Sequence, residues 1–290
     1  MNDNLSIVAR YDKALFSQFT ERRLVVLLDS PDDLSAVLDE AKRGKNKVTN
    51  AVVRLKAPLS SVLFSPDWSE TGLSFYLETL DPIAYMIKKA KDLRSKKVMI
   101  YLPVHEDENL TKLRILSSLG IPCGFYFESA EKPVNWDKVD DLMYYHVYSR
   151  LSHGPIQPFE SVLSRYRPKE NAVFHSVYYD DPGSYIHMDA HGNLALNRRD
   201  LENGIFIGQG LSDFDSIREN PKYTRYMTLW QGFFTGESKC GQCPAWRICQ
   251  GVFLDTCEKD ASCTKFMTDL IEAGDYRQKR QKKGNDNKWR

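Results

Sequence analysis

From Arg23 onward, short apolar runs alternate with helix-length amphipathic segments, and this alternation restricts the possible folds more than any other feature of the chain. "RLVVLLD" (Arg23 to Asp29) reads as a buried strand, and Ser30-Pro31-Asp32-Asp33 opens a helix carrying Leu34, Val37, Leu38 and Ala41. The cycle repeats with a strand at Val48 to Leu55, a helix at Pro82 to Leu93, a strand at Lys97 to Val104, a helix from Asp107 stopped by Gly120, and a strand at Ile121 to Glu128. Asn135 to Tyr145 and Ile156 to Tyr166 read as further helices. Strands separated by helices of this length pair in parallel, with the helices as crossovers. About five such units are visible, fewer than the eight of a full barrel, so the expected fold is α/β, a partial (β/α) barrel or a doubly wound sheet.

The pattern changes near Asn171. "NAVFHSVYYDD" and "SYIHMDAHGNLALN" read as short strands, with a hairpin turn at His191 to Asn193, followed by "GIFIGQG" and a helical stretch that begins at Asp213. The expected division is therefore a β/α domain over residues 1–168, a small module over 169–276, and a basic, disordered tail over 277–290 whose sequence, "RQKRQKKGNDNKWR", is almost without apolar residues.

Forty basic residues against 39 acidic ones give a net charge of +1, so neither nucleic acid nor an anionic membrane is an expected partner. No apolar run approaches the ~20 residues that span a bilayer, and Met1-Asn-Asp-Asn does not open a secretory signal. A cytoplasmic location follows as the expectation. In that reducing compartment, clustered cysteines point to metal ligation or catalysis rather than to disulfides.

Five of the six cysteines do cluster: Cys240, Cys243, Cys249, Cys257 and Cys263. A C-x-x-C pair presents two thiolates to one ion or cluster on a tight turn, and cysteines a short loop away complete four-coordination. Four thiolates suit a structural Zn²⁺ or a [4Fe-4S] cluster equally, and the lack of histidine between Cys240 and Cys263 argues against a mixed Cys/His finger. Cys123, inside an apolar strand, reads as a small buried residue.

"CGQCPAWRICQG", preceded by "YIHMDAHGNL" and "IFIGQGLSDFDSIREN", resembles the SPASM/twitch extension of radical SAM peptide maturases and sulfatase-maturing enzymes. The resemblance covers roughly the last hundred residues, and implies auxiliary [4Fe-4S] ligation beside a partial (β/α) barrel. It places Cys240, Cys243 and Cys249 as three ligands of one cluster. It favours Cys263 over Cys257 as the fourth, because Cys257 sits nearer the place from which the family serves its other cluster. Two departures stand out. No cysteine precedes Cys123, so the C-x3-C-x2-C that binds a SAM-cleaving cluster is missing, and "KAPLSS" follows Val48 to Leu55 where the family has its SAM-binding "GGE" stretch. Asn197 also stands where the family's hairpin carries a cysteine. The resemblance thus implies a pseudo-radical-SAM protein that binds no SAM and holds at most one cluster. Its role would be to bind substrate or relay electrons beside a true radical SAM enzyme or a ribosomally made precursor peptide. The alternative is an α/β protein-interaction domain with a structural four-cysteine zinc site.

Other residues offer weaker chemistry. His187, Asp189 and His191 alternate as strand ligands would, although a turn at His191 to Asn193 would break that geometry. His146 and His153 lie near the end of a β/α repeat, where barrel sites collect, without a legible nucleophile. Asp180-Asp181 before Pro182 reads as a turn. The aromatic stretches "GFYFES", "LMYYHVY" and "SVYYDD" suit either a peptide groove or a core.

Overall fold

The structure is a computed structural model that describes residues 5–56, 58–59, 71–96, 98–127, 132–167, 174–232, 243–249 and 262–286. In chain order the first half runs β1 (Ser6–Arg10), α1 (Lys13–Phe16), β2 (Arg23–Leu28), α2 (Leu34–Arg43), β3 (Lys47–Leu55), β4 (Gly72–Leu77), α3 (Ile83–Ser95), β5 (Val98–Pro103), α4 (Asp107–Ser118) and β6 (Cys123–Tyr126). The second half runs α5 (Trp136–Tyr148), β7 (Ile156–Gln157), α6 (Phe159–Arg165), β8 (Tyr185–Met188), β9 (Asn193–Ala195), α7 (Arg198–Glu202), β10 (Gly208–Gln209), α8 (Gly210–Asp215), α9 (Pro221–Gly232), α10 (Trp246–Cys249) and α11 (Ser262–Asp286). The protein is α/β with mostly parallel pairing, as the alternation predicts.

Two compact units interleave along the chain: Met1–Tyr101 with Tyr178–Gly232, and Leu102–Val177 with Phe233–Arg290. The sequence predicts boundaries near residues 168 and 276; here the hairpin of β8 and β9 groups with the N-terminal strands, and the cysteine-bearing segment groups with Leu102–Val177.

In the first unit β8, β1, β2, β3, β4 and β5 pair in parallel in that order, and β9 and β10 extend the sheet antiparallel beyond β8. Two of these strands carry no clear strand signal in the sequence. β1 lies in what looked like a polar start, where only five residues pair. β4, "GLSFYL", breaks its apolar pattern with Gly72, Ser74 and Tyr76 because those alternate positions share one sheet face with Asn50, Val52 and Arg54 of β3. The opposite face is wholly apolar: Leu24, Val26, Val53, Leu73, Phe75 and Ile100 are each 1% exposed or less. That face supplies the hydrophobic driving force for the unit.

The second unit is mainly helical around the short parallel pair β6 and β7, in register Cys123↔Ile156. Its core is aromatic: Phe125, Phe159, Phe174 and Phe266 are buried, and Trp136 stacks on Phe266 with ring centres 5.2 Å apart. Ile156 to Tyr166, expected to be one helix, is a two-residue strand followed by α6. The basic end also differs from its expected disorder, because α11 continues to Asp286. Composition understated its anchoring: Arg277 reaches Glu160, and Gln278 donates to Tyr166 O at 2.7 Å.

Candidate functional site

Of the five clustered cysteines, Cys243, Cys249 and Cys263 fall among the described residues, while Cys240 and Cys257 lie outside them. Cys249 ends α10, a single helical turn closed by Trp246 N–H to Cys243 O (3.1 Å) and Cys249 N–H to Ala245 O (3.0 Å). Pro244 opens that turn, and Ala245, Trp246 and Ile248 bury themselves to hold it in place. Cys243 and Cys249 are half-buried at the two ends of the turn, and Cys263 is buried in the first turn of α11. Arg247, on the same turn, is the mooring. Its guanidinium donates to Arg167 O (3.0 Å) and to the Tyr166 hydroxyl (2.7 Å), and lies over the Tyr166 ring at 4.9 Å. Tyr166 in turn donates to Asp275 of α11 at 2.9 Å. The segment Cys243–Cys249 is thereby tied to both α6 and α11.

The donor chemistry fits a thiophilic ion or cluster, since the candidate ligands are thiols with no interposed histidine or carboxylate between Cys243 and Cys249. Among the described residues no three His, Cys, Asp or Glu side chains converge as a metal site would need. Cys243, Cys249 and Cys263, all described, are therefore not gathered as one ligand set, and Cys240 and Cys257 lie outside the described residues. Cys123 is a different kind of cysteine. It is fully buried, its thiol donates to Leu113 O at 3.4 Å, and burial raises its pKa so far that it stays a thiol.

The His187, Asp189 and His191 set does not converge. Asp189 is spent on the hairpin turn, accepting from the His191 and Asn193 backbone N–H groups at 2.9 Å each and from the Asn193 side chain at 2.8 Å. His187 points instead to Tyr179 O (3.0 Å) and Asp180 (3.1 Å). Asp180 and Asp181 serve local backbone, at Arg198 N–H and Gly183 N–H respectively, and Asn197 caps α7 through Asp200 N–H at 2.8 Å.

His146 and His153 do meet, with ring centres 5.2 Å apart, but their nitrogens are committed differently. His153 Nδ1 donates to Gly154 O at 3.0 Å. His146, its side chain 5% exposed, donates from Nε2 to Glu160 at 3.2 Å, and Glu160 also receives both Arg277 Nη groups at 2.9 and 3.0 Å. Burial alone would raise the Glu160 carboxyl, yet the hydrogen bonds and charges of His146 and Arg277 outweigh it and hold the pKa at about 2. A depressed carboxyl stabilises the fold above its unfolded value of 4.5, and that contribution is lost as pH falls through about 2. Glu160→Gln should therefore unfold more easily than the parent at pH 7, with the gap closing between pH 4.5 and about 2 in acid-unfolding curves. A gap that stays constant across that window would remove this role from Glu160. On the neighbouring seam, burial pushes the Asp140 carboxyl up to about 6 against its hydrogen bond from Lys265, which also meets Asp269 at 3.1 Å.

One arrangement has little signal in the sequence. At the carboxyl ends of three adjacent parallel strands, register places Arg54, Tyr76 and Tyr101 side by side on the polar sheet face, the two rings stacked at 4.6 Å. Below them on that face lie Leu27, Asn50, Ser74 and Met99, and Tyr179 caps the row by accepting a hydrogen bond from Asn50. Arg54 is exposed and Tyr76 half-buried, whereas Tyr101 and Ser74 are buried, and Val8, Val25 and Val52 form a buried apolar cluster on this same face against which Leu27, Tyr76 and Tyr179 pack. The apolar cluster of this face gives way to Arg54 and Tyr76 toward the strand carboxyl termini, the end at which ligands of parallel sheets collect. The available hint was period-two polarity inside strands that otherwise read as continuous apolar runs. Compared with known protein families, curated proteins and solved structures, the chain matches none.

Proposed function

We propose that this chain is a cytoplasmic pseudo-radical-SAM protein: a partial (β/α) barrel with a degenerate SPASM-like segment. In this reading it holds one thiolate-ligated metal centre and binds a ribosomally made peptide or protein during its maturation by a separate radical SAM enzyme. The observation that carries the reading is the C-x2-C-x5-C segment, whose described part is moored through Arg247 to Tyr166 in the unit that also contains Cys263. Cys240, Cys243 and Cys249, with Cys263 ahead of Cys257, would hold the centre; a [4Fe-4S] cluster there would supply one-electron transfer. Arg247 fixes the turn that carries Cys243 and Cys249 through Tyr166 and Arg167 O. The sheet end at Arg54 and Tyr76 favours substrate binding over electron relay alone, because ligands of parallel α/β folds collect at the strand carboxyl termini. No SAM-binding cluster is part of the proposal, since no cysteine precedes Cys123. No described helix is long and apolar enough to cross a membrane.

Anaerobic reconstitution with iron and sulfide tests the metal. The expected result is about four iron and four sulfide per chain, with thiolate-to-iron charge-transfer absorption, and a loss of most of both in Cys249→Ser. Zinc as purified with no sulfide uptake would instead establish the structural four-cysteine zinc alternative, in which the thiolates only support folding.

A further inference from the structure

The outer surface of the second unit carries an aromatic ladder that no metal or peptide role uses. α5 and α11 run side by side in the same direction, Trp136 against Phe266 at one end and Tyr148 against Tyr276 at the other. On their solvent side Tyr144 stacks on Tyr148 at 5.5 Å, Tyr148 meets Tyr276 at 4.9 Å, and the Arg280 guanidinium sits 5.9 Å from the Tyr276 ring. These tyrosines are 45%, 40% and 38% exposed, and Leu151, three residues past α5, is 78% exposed. Single exposed apolar side chains are ordinary, but a contiguous aromatic row is the mark of an interface.

The charges on the row identify the partner. Glu272 lies four residues before Tyr276 and Arg280 four residues after it, so the exposed stripe of α11 is antisymmetric in charge about the tyrosine, at about 6 Å to either side. Asp269, its side chain 17% exposed, is already paired with Lys265, so Glu272 alone carries the acidic end, while Lys279 lies beside Arg280 at the basic end. A partner of one charge sign would be repelled by one end of this stripe. A second copy turned by a two-fold axis through Tyr276 meets attraction at both ends, because an isologous interface pairs each patch with itself reversed.

We propose that the chain forms a two-fold dimer through the exposed faces of α5 and α11, antiparallel between copies. Tyr276 and Tyr148 form its centre, and Glu272 of each copy faces Arg280 of the other. The dimer buries aromatic surface at its core and places its charge pairs at the rim, where they set register more than affinity. It does not depend on the metal reading.

Sedimentation velocity on the full chain over a concentration series tests this. The parent should show a reversible monomer–dimer equilibrium. Arg280→Glu, which sets like charge against Glu272 twice per dimer, should weaken the dissociation constant about tenfold or more, and Glu272→Arg should do the same. The double variant E272R/R280E should recover to within about threefold of the parent, as opposite-charge pairing is restored. Both positions are on the surface, and far-UV circular dichroism confirms that the variants are folded. A chain that stays monomeric at about 100 μM, single swaps without effect, or single-swap losses that the double variant fails to rescue would each overturn the proposal.

Discussion

Phe266→Ala should destabilise the protein by about 3–5 kcal/mol, read as the shift of the denaturant midpoint at constant m-value. Phe266 is 1% exposed and touches rings from three other segments: Trp136 at 5.2 Å, Phe159 at 6.1 Å and Phe174 at 6.5 Å. Removing it deletes the transfer energy of a whole ring and leaves a void bounded by flat, rigid groups that cannot collapse into it. Phe266→Leu, which keeps most of the volume, should cost less than half as much, on the order of 1.5 kcal/mol. A loss under about 1 kcal/mol in the alanine variant would mean that α11 is not docked on this core. Because α11 carries Cys263, the alanine variant should also take up less metal if the proposed centre is correct.

Gly274→Ala tests the same docking from the other direction. In an ordinary helix interior this change stabilises by about 0.5–1 kcal/mol, since glycine loses the most backbone entropy on folding. Here the sign should reverse. A methyl group at Gly274 would sit 2.7 Å from two carbons of the Tyr166 ring, closer than packed carbon atoms approach. The ring cannot swing aside, because Tyr166 is 1% exposed, its hydroxyl is held by Asp275 and Arg247, and its carbonyl accepts from Gln278. The expected cost is about 1–3 kcal/mol from overpacking. The more informative readout is local: hydrogen exchange should rise in α10, because moving Tyr166 unseats Arg247 and the turn between Cys243 and Cys249. A stabilised variant with unchanged exchange would show that the contact between α11 and Tyr166 is looser than 2.7 Å implies.

The class of fold was legible because it rests on local period. β2, β5 and the centre of β3 are largely apolar runs, and α2, α4 and α5 carry apolar stripes, α5 with an Asn135 cap. β4 departs from this pattern for a physical reason. Its alternate residues Ser74 and Tyr76 line the polar sheet face, so the strand does not look like the interior of a parallel sheet. The hairpin was legible from His191-Gly192-Asn193, where Gly192 takes a φ of +80°, whereas the part of Asp189, whose carboxylate closes the turn, was not. That same closure is why the two histidines beside Asp189 do not form a metal site. The cysteine spacing was plain in the chain, but the residue that moors it was not. Arg247 reads as one more surface charge until Tyr166, 81 residues earlier, is folded against it.

By itself the sequence determined the things that depend on neighbours along the chain: alternating strands and helices, the hairpin, and a run of closely spaced thiols. The tertiary structure alone decided everything that depends on residues far apart. It placed β8 beside β1, drew Arg54, Tyr76 and Tyr101 into one row, closed Glu160 between His146 and Arg277, and extended the basic end as a helix with its tyrosine facing outward. The reason is energetic. Periodicity sets which face of an element is apolar, whereas burial and charge pairing across tens of residues set which element that face meets.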